Sequence, residues 1–257
     1  MARSGKIIVS ATVRESTGTS YGLAQLLNNG DLDEGFGSGG YLTGRFLPDK
    51  PSQGRQIRVY EQGEILLSGL VEQKPGSYDH VIARFLADGK PDRDFGDQGV
   101  VVVRQPVPDL LGATGGGVWF PQTDINNKIL FATSKNGIGV VWRFNSNGTP
   151  DTSFNGKGWV IVRLDGLAID LMGVIELEGA RLVVYGQVRG VTQDGILIAY
   201  NEAGQLDSGF GLNGVLRLSV KHEDERIDSR LNQVMIKPDG KLLAVGAAVD
   251  KQVNCPL

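Results

Sequence analysis

Three arginines, Arg45, Arg104 and Arg163, each stand nine residues after a phenylalanine, and Ser219 takes the fourth such place. Guanidinium groups brought together at matching points can hold a carboxylate, phosphate or sulfate through paired hydrogen bonds. Pairing with a local acid, Asp49, Asp109 or Asp165, is the structural alternative. Two stretches, GFGSGG from Gly35 and GFGLNG from Gly209, match the dinucleotide fingerprint. The fingerprint works only where a helix follows and turns its N-terminus to the pyrophosphate. Strand-like text follows both stretches, and the equivalent turns open on Asp94 and Ser153, so dinucleotide binding is rejected. Asn28, Asp31 and Asp33 offer oxygen atoms at calcium-loop spacing, but Lys90, Thr149 and Gln205 stand where a second Asp31 would be needed. No metal and no cofactor is therefore expected. His80 and His222 are the only histidines and Cys255 the only cysteine, which excludes a His-rich metal site and an intrachain disulfide. His80 reads as an ordinary, partly exposed residue opening an outer strand. No catalytic residue is assigned; the candidate ligand contacts are Arg45, Arg104 and Arg163, with His222 and Trp119 from two variable loops.

The elements that position these residues are set by a repeat. Phe36, Phe95, Phe154 and Phe210 fall 59, 59 and 56 residues apart, each three residues after an aspartate: Asp33, Asp92, Asp151 and Asp207. A fixed period of this size signals stacked copies of one supersecondary unit. The turn reads as structural: Asp accepts backbone N–H groups, Phe plugs the gap between neighbouring copies, and the next residue takes positive φ. Between these turns runs a second phrase: GKIIVSA from Gly5, GEILLSG from Gly63, NKILFAT from Asn127, ARLVVYG from Ala180 and GKLLAVG from Gly240. Such runs are too short for helices and rich in Ile, Leu and Val, the mark of buried strands. Each period then holds four strands, here a to d; in the second copy they fall near Tyr41 to Phe46, Gln56 to Glu61, Ile65 to Val71 and His80 to Leu86.

Four short antiparallel strands per repeat, without helical periodicity, predict an all-β fold, a β-propeller forming one domain over residues 1–257. The chain opens on strands c and d and finishes on a, b and c. Four blades closed by the N- and C-terminal strands is the first expectation; five blades with incomplete end blades, or an open array closed by a second chain, fits the same text.

The phrases DGKLLAVG and ARFLADGKPDRDFGDQGVV resemble the bacterial delta-60 repeat, whose pattern is similar to "GKilvaG, then aRyn-dG-slDtsFG-dG". The resemblance covers essentially the whole chain. Departures are Asn155 for the Gly after Phe, Asn127 for the Gly before strand c, and Gln25 and Ala199 for the strand-d arginine kept at Arg84 and Arg143. It implies a propeller-type fold, a secreted or surface setting in bacteria, and no defined catalytic activity.

The rest of the composition narrows the partners. A net charge of -3 and pI near 5.5 give no general reason to bind nucleic acid or anionic membranes. The first residues lack the apolar core of a signal peptide, and no apolar run is long enough to span a bilayer. A cytoplasmic site, leaderless export, or a leader outside this chain each fits. The a–b segments differ most between copies: FLPDKPSQGRQ, QPVPDLLGATGGGVW, LDGLAIDLMG and VKHEDERIDSRLN. Variable loops on a uniform scaffold are where recognition resides. The expectation is a non-enzymatic binding or scaffolding protein for a protein or glycan ligand, compatible with a homo-oligomer. A carbohydrate-active hydrolase or lyase with acidic residues in an axial funnel is the alternative.

Overall fold

The computed structural model describes residues 5–104, 122–123, 128–222 and 224–249. Among these the chain is all-β, in five antiparallel sheets. The first sheet holds β1 (Ile7–Glu15), β2 (Gly18–Leu26) and β3 (Tyr41–Gly44). The second holds β4 (Ser52–Val59), β5 (Ile65–Lys74), β6 (Ser77–Phe85) and β7 (Val100–Val103). The third holds β8 (Gln122–Thr123), β9 (Ile129–Lys135), β10 (Ile138–Phe144) and β11 (Trp159–Val162). The fourth holds β12 (Ala168–Leu177), β13 (Arg181–Arg189), β14 (Asp194–Tyr200) and β15 (Val215–Leu218). The last holds β16 (Val220–His222), β17 (Glu225–Ile236) and β18 (Leu242–Val249). Within every sheet, strands adjacent in sequence are adjacent in space.

The repeat is phased differently from the sequence reading. Each short a strand pairs with the d strand before it: Tyr21 faces Gly44, His80 faces Val103, Gly139 faces Val162 and Gly195 faces Leu218. The expected grouping of Tyr41 to Leu86 into one blade is thereby corrected. The cause is the Asp-x-x-Phe turn, which sends the chain back along its own strand. Asp33 N–H donates to Gln25 O and Gln25 N–H to Gly40 O, each at 2.9 Å. The a–b segments are corrected too. LDGLAIDLMG lies mostly in β12, and VKHEDERIDSRLN forms the β16–β17 hairpin. Their polar residues disguise strands that are wet on one face.

Packing accounts for the phrase at strand c. Residues 65–71 of β5 are buried on both faces, so the run is apolar without alternation. The glycine that closes the phrase answers a bulge on the neighbouring b strand. Met172 is the extra residue where Leu171 faces Gly186 and Gly173 faces Tyr185; Asn232 is its counterpart opposite Gly246 and Val245. A Cβ on Gly186 would lie 2.0 Å from Asp170 O, and one on Gly246 1.9 Å from Arg230 O. Bulged backbone presses against the strand there, and only glycine fits. The β9–β10 turn is Asn136-Gly137, with φ of 52° and 78°, as the right-handed twist of a hairpin requires.

The chain divides into two compact units. One contains β1 to β7 and the Asn145–Thr149 turn, with a core that includes Tyr21, Phe36, Phe46, Ile65 and Phe85. Tyr21 and Phe46 stack there with ring centres 4.7 Å apart. The other contains β8 to β18, with apolar clusters built around Phe154, Ile169 and Val184 and around Tyr185, Leu197 and Leu231.

Candidate functional site

The four Asp-x-x-Phe turns have one geometry. Phe N–H donates to Asp O at 2.9, 3.1, 2.9 and 3.0 Å for Phe36, Phe95, Phe154 and Phe210. The Asp side chain accepts the N–H two residues on, that of Gly35, Asp94, Ser153 or Gly209. The residue after Phe takes φ of 54–58°, and Asn155 adopts this as readily as Gly37, Gly96 or Gly211. Strands, not helices, follow the two glycine-rich stretches: β3 after Gly35 to Gly40 and β15 after Gly209 to Gly214.

Every one of these aspartates is held by a cation or an amide, but not from the same position. Arg84 reaches Asp92 at 2.7 Å and stacks on Phe95 with its carbon 4.8 Å from the ring centre. Arg143 does the same for Asp151 at 2.6 Å and for Phe154 at 4.8 Å. Where Gln25 replaces the arginine, Lys6 joins it on Asp33 at 2.5 Å; where Ala199 does, Arg181 takes Asp207 at 2.6 Å. Lys6 and Arg181 open strand c, so the charge moves to a neighbouring strand while the pair survives. Asp151 receives both Arg143 and Lys128. Burial alone would raise its pKa; the hydrogen bonds from Lys128, Ser153 and Arg143 hold it well below the carboxylate range. In Asp33, whose carboxylate a calcium loop would need, the bonds from Lys6 and Gln25 likewise lower the pKa.

Arg45, Arg104 and Arg163 each stand immediately after an edge strand, β3, β7 and β11, and Ser219 immediately after β15. Arg45 donates to Thr17 O at 3.0 Å and to Thr17 Oγ1 at 2.8 Å rather than to Asp49. Arg104 and Arg163 are exposed, and neither has an ion pair among the described residues. Arg45 and Arg104 belong to the first unit and Arg163 to the second. Asp109, Trp119, Asn127 and Cys255 lie outside the described residues. His222 is exposed at the end of β16, facing Glu225 across the hairpin. His80 corrects its expectation: it is buried, between Leu70 and Val103 on the strands either side. Desolvation pushes its pKa down to about 3. Strand d is interior to its sheet, which is why the residue is not partly exposed.

Among the described residues, a groove of about 500 Å³ in the second unit has the means to hold a ligand. It runs between the end of β15 and the β17–β18 pair, lined by Arg217, Ser219, Ser229, Arg230, Ala244 and Ala248 among others. Beside it, the carboxylate of Asp194, fully buried at the start of β14, accepts hydrogen bonds from Arg217 and Arg226 on the same oxygen, Oδ2. Arg226 also donates to Ser219 Oγ at 2.9 Å. Burial works to raise the Asp194 pKa, but Arg226, Arg217 and Ser219 hold it below its ordinary value. Two half-exposed guanidiniums share one buried carboxylate, which leaves this wall of the groove with a surplus positive charge. Ser229 closes the floor, its hydroxyl donating to Leu218 O at 3.1 Å and accepting Gly195 N–H at 3.4 Å.

Sequence reasoning passed over Asp194, Arg217 and Arg226. The signal was present: Arg217 occupies the strand-a place where Thr43, Val102 and Ile161 stand in the other copies. An arginine within a short apolar strand asks for a buried acid. Which acid answers is a matter of register, not spacing.

Two segments of the chain, residues 3–36 and 126–154, match the model of a domain of unknown function (DUF5122) described as a beta-propeller. Together with the antiparallel sheets this supports a β-propeller fold. No curated protein matches it in sequence. Among solved structures it is similar to a streptogramin B lyase, at 12% identity and a TM-score of 0.40, covering 91% of this chain and 66% of that one. It is also similar to a catalytically inactive virginiamycin B lyase from Staphylococcus aureus with quinupristin, at 10% identity and a TM-score of 0.35, covering 95% and 85%. The chain thus spans just under two thirds of the length of the first.

Proposed function

We propose that this chain is a non-enzymatic binding or scaffolding propeller of the delta-60 type, taking a protein or glycan ligand in the groove between β15 and β18. The observation that carries the reading is the groove itself. It is open, it mixes small apolar residues with Arg217, Ser219 and Arg230, and it is built by the fourth a–b segment, where the copies diverge most. Recognition sites have this composition: apolar area for affinity and a few placed polar groups for orientation. The surplus charge at Arg217 and Arg226 favours a ligand with an acidic group beside the contact.

The test is direct binding. Peptide and acidic-glycan arrays are probed with the protein and with Ala248→Trp, which fills the groove from an exposed position. Saturable binding that Ala248→Trp abolishes is the expected result. Binding that the tryptophan leaves unchanged, or turnover of a glycan without a stable complex, overturns the proposal.

A further inference from the structure

A separate cavity, of about 260 Å³, lies within the second unit between β11 and β14. Asn155, Arg163 and Tyr200 line it together with Leu164, Ile198 and Leu206, and none of these residues belongs to the groove between β15 and β18. The cavity forms where this copy departs from the repeat. Asn155 stands where Gly37, Gly96 and Gly211 stand in the other copies. Tyr200 bridges to Leu206 as Leu26 does to Leu32, Phe85 to Pro91 and Phe144 to Pro150, so among the four copies this one alone carries a phenol at that place. Ile198 faces Val184, whereas the corresponding pair in the preceding copy is Trp142 and Phe131. The smaller pair leaves room.

The polar groups of this cavity are largely unspent. Arg163 is exposed, and its guanidinium has no partner among the described residues, Asp165 included. Tyr200 is 6% exposed, and its hydroxyl likewise has no partner among the described residues. Burial pushes its pKa up, so the phenol stays a hydrogen-bond donor. A buried hydroxyl without a partner asks for one. Asn155 donates from Nδ2 to Trp159 O at 3.0 Å, which orients its amide and leaves Oδ1 to accept. One guanidinium, planar and two-pronged, matches a single carboxylate in charge and shape; a phosphate dianion would bring a second charge that no other cation lining the cavity balances. Asn155 and Tyr200 suit hydroxyl groups, while Leu164, Ile198 and Leu206 suit the C–H face of a ring. The volume falls below the range that drug-sized ligands need and admits one ring.

We infer that this cavity is a second binding site, for a hexuronic acid: a sugar ring whose carboxylate pairs with Arg163 and whose hydroxyls meet Asn155 and Tyr200. The site is independent of the groove between β15 and β18, and neither reading requires the other. A free hexuronate and the terminal residue of an acidic glycan offer the same chemistry.

The probe is glucuronate, titrated into the 257-residue chain and followed by NMR of the amide groups, with glucose and inorganic phosphate as controls. Saturable shifts at the Asn155 amides are expected. Affinity should fall about tenfold or more in Arg163→Gln, which removes a charged partner, and about fivefold in Tyr200→Phe, which removes a neutral hydrogen bond. Both variants keep the fold: Arg163 is exposed, and phenylalanine is the residue that two other copies carry at the Tyr200 place. Ala248→Trp, in the groove, should bind glucuronate as the parent does. A disaccharide ending in glucuronate separates the two sources: tighter binding than the free acid marks a glycan end, and weaker binding marks the free acid. Absence of a saturable shift, an equal response to glucose, a preference for phosphate, or affinity indifferent to both Arg163→Gln and Tyr200→Phe overturns the inference. Loss of binding in Ala248→Trp but not in Arg163→Gln would assign the ligand to the groove and overturn this site.

Discussion

At the scale of single residues, the Asp-x-x-Phe turn is a joint whose cost of loss depends on what covers it. Phe154 is sealed by Gly204 and by the Arg143 guanidinium, while Phe210 has neither. Truncating a sealed aromatic leaves a cavity, so Phe154→Ala is expected to lower the unfolding free energy by about 3–5 kcal/mol. Phe210→Ala should cost only about 1–2 kcal/mol, in line with its smaller buried area. Urea denaturation of the two variants checks the difference; equal losses would contradict the joint. The turn itself was legible from spacing alone, because four copies of Asp and Phe at matched intervals leave little else to read. The pairing of its aspartates was not. Gln25 and Ala199 look like losses of the strand-d arginine until Lys6 and Arg181 are seen to approach from strand c. A sequence records residue identity at each place, and compensation between two strands becomes visible only when their register is known. Asp194 was hidden for the same reason: its partners lie 23 and 32 residues away, on two other strands.

At the scale of elements, central strands were the easiest to place and edge strands the hardest. β5, β9 and β13 are buried on both faces and read as apolar runs; β17 begins with the polar text ERIDSR and looked like a loop. Phase is not legible in the sequence because strand a and strand b are separated by a variable segment, while strand a and the preceding strand d are joined by a regular turn. Regularity marked the connection within a sheet, and divergence marked the passage from one sheet to the next. The glycine ending the c phrase is the element-level constraint that spacing could suggest but not explain. Gly186 accommodates the bulge at Met172, and a methyl group there meets Asp170 O and the Leu171 backbone. Gly186→Ala is expected to destabilise by about 1–3 kcal/mol through overpacking. Thermal melts of Gly186→Ala beside Gly179→Ala test this. Gly179 takes positive φ, which Gly186 does not, but a Cβ there meets nothing within 4 Å. The account requires close approach, not backbone conformation, to dominate, and so expects the larger loss at Gly186.

At the scale of the whole molecule, stability should be asymmetric in pH. His80 is held neutral by burial, with a folded pKa of about 3 against the ordinary histidine value of 6.5. Between those values the unfolded chain binds a proton that the folded chain does not. Stability is therefore complete above pH 6.5 and falls on acidification by about 1.4 kcal/mol per pH unit from this group. Asp33, Asp151 and Asp194, whose pKa values are depressed in the fold, add to the loss below the ordinary carboxylate range. The midpoint of urea unfolding should drop from pH 7 to 5, and His80→Gln should flatten that part of the curve. A midpoint constant between pH 7 and 5 in the parent protein would contradict the burial of His80.

Among the described residues, the turns at Gly89, Gly148 and Gly204 cover Phe36, Phe95 and Phe154. That the groove between β15 and β18 is a binding site is tested most directly with the Ala248→Trp variant. Saturable binding on the peptide and acidic-glycan arrays should be lost in that variant while its urea unfolding midpoint stays at the parent value. Equal binding by the parent protein and the Ala248→Trp variant would contradict the claim.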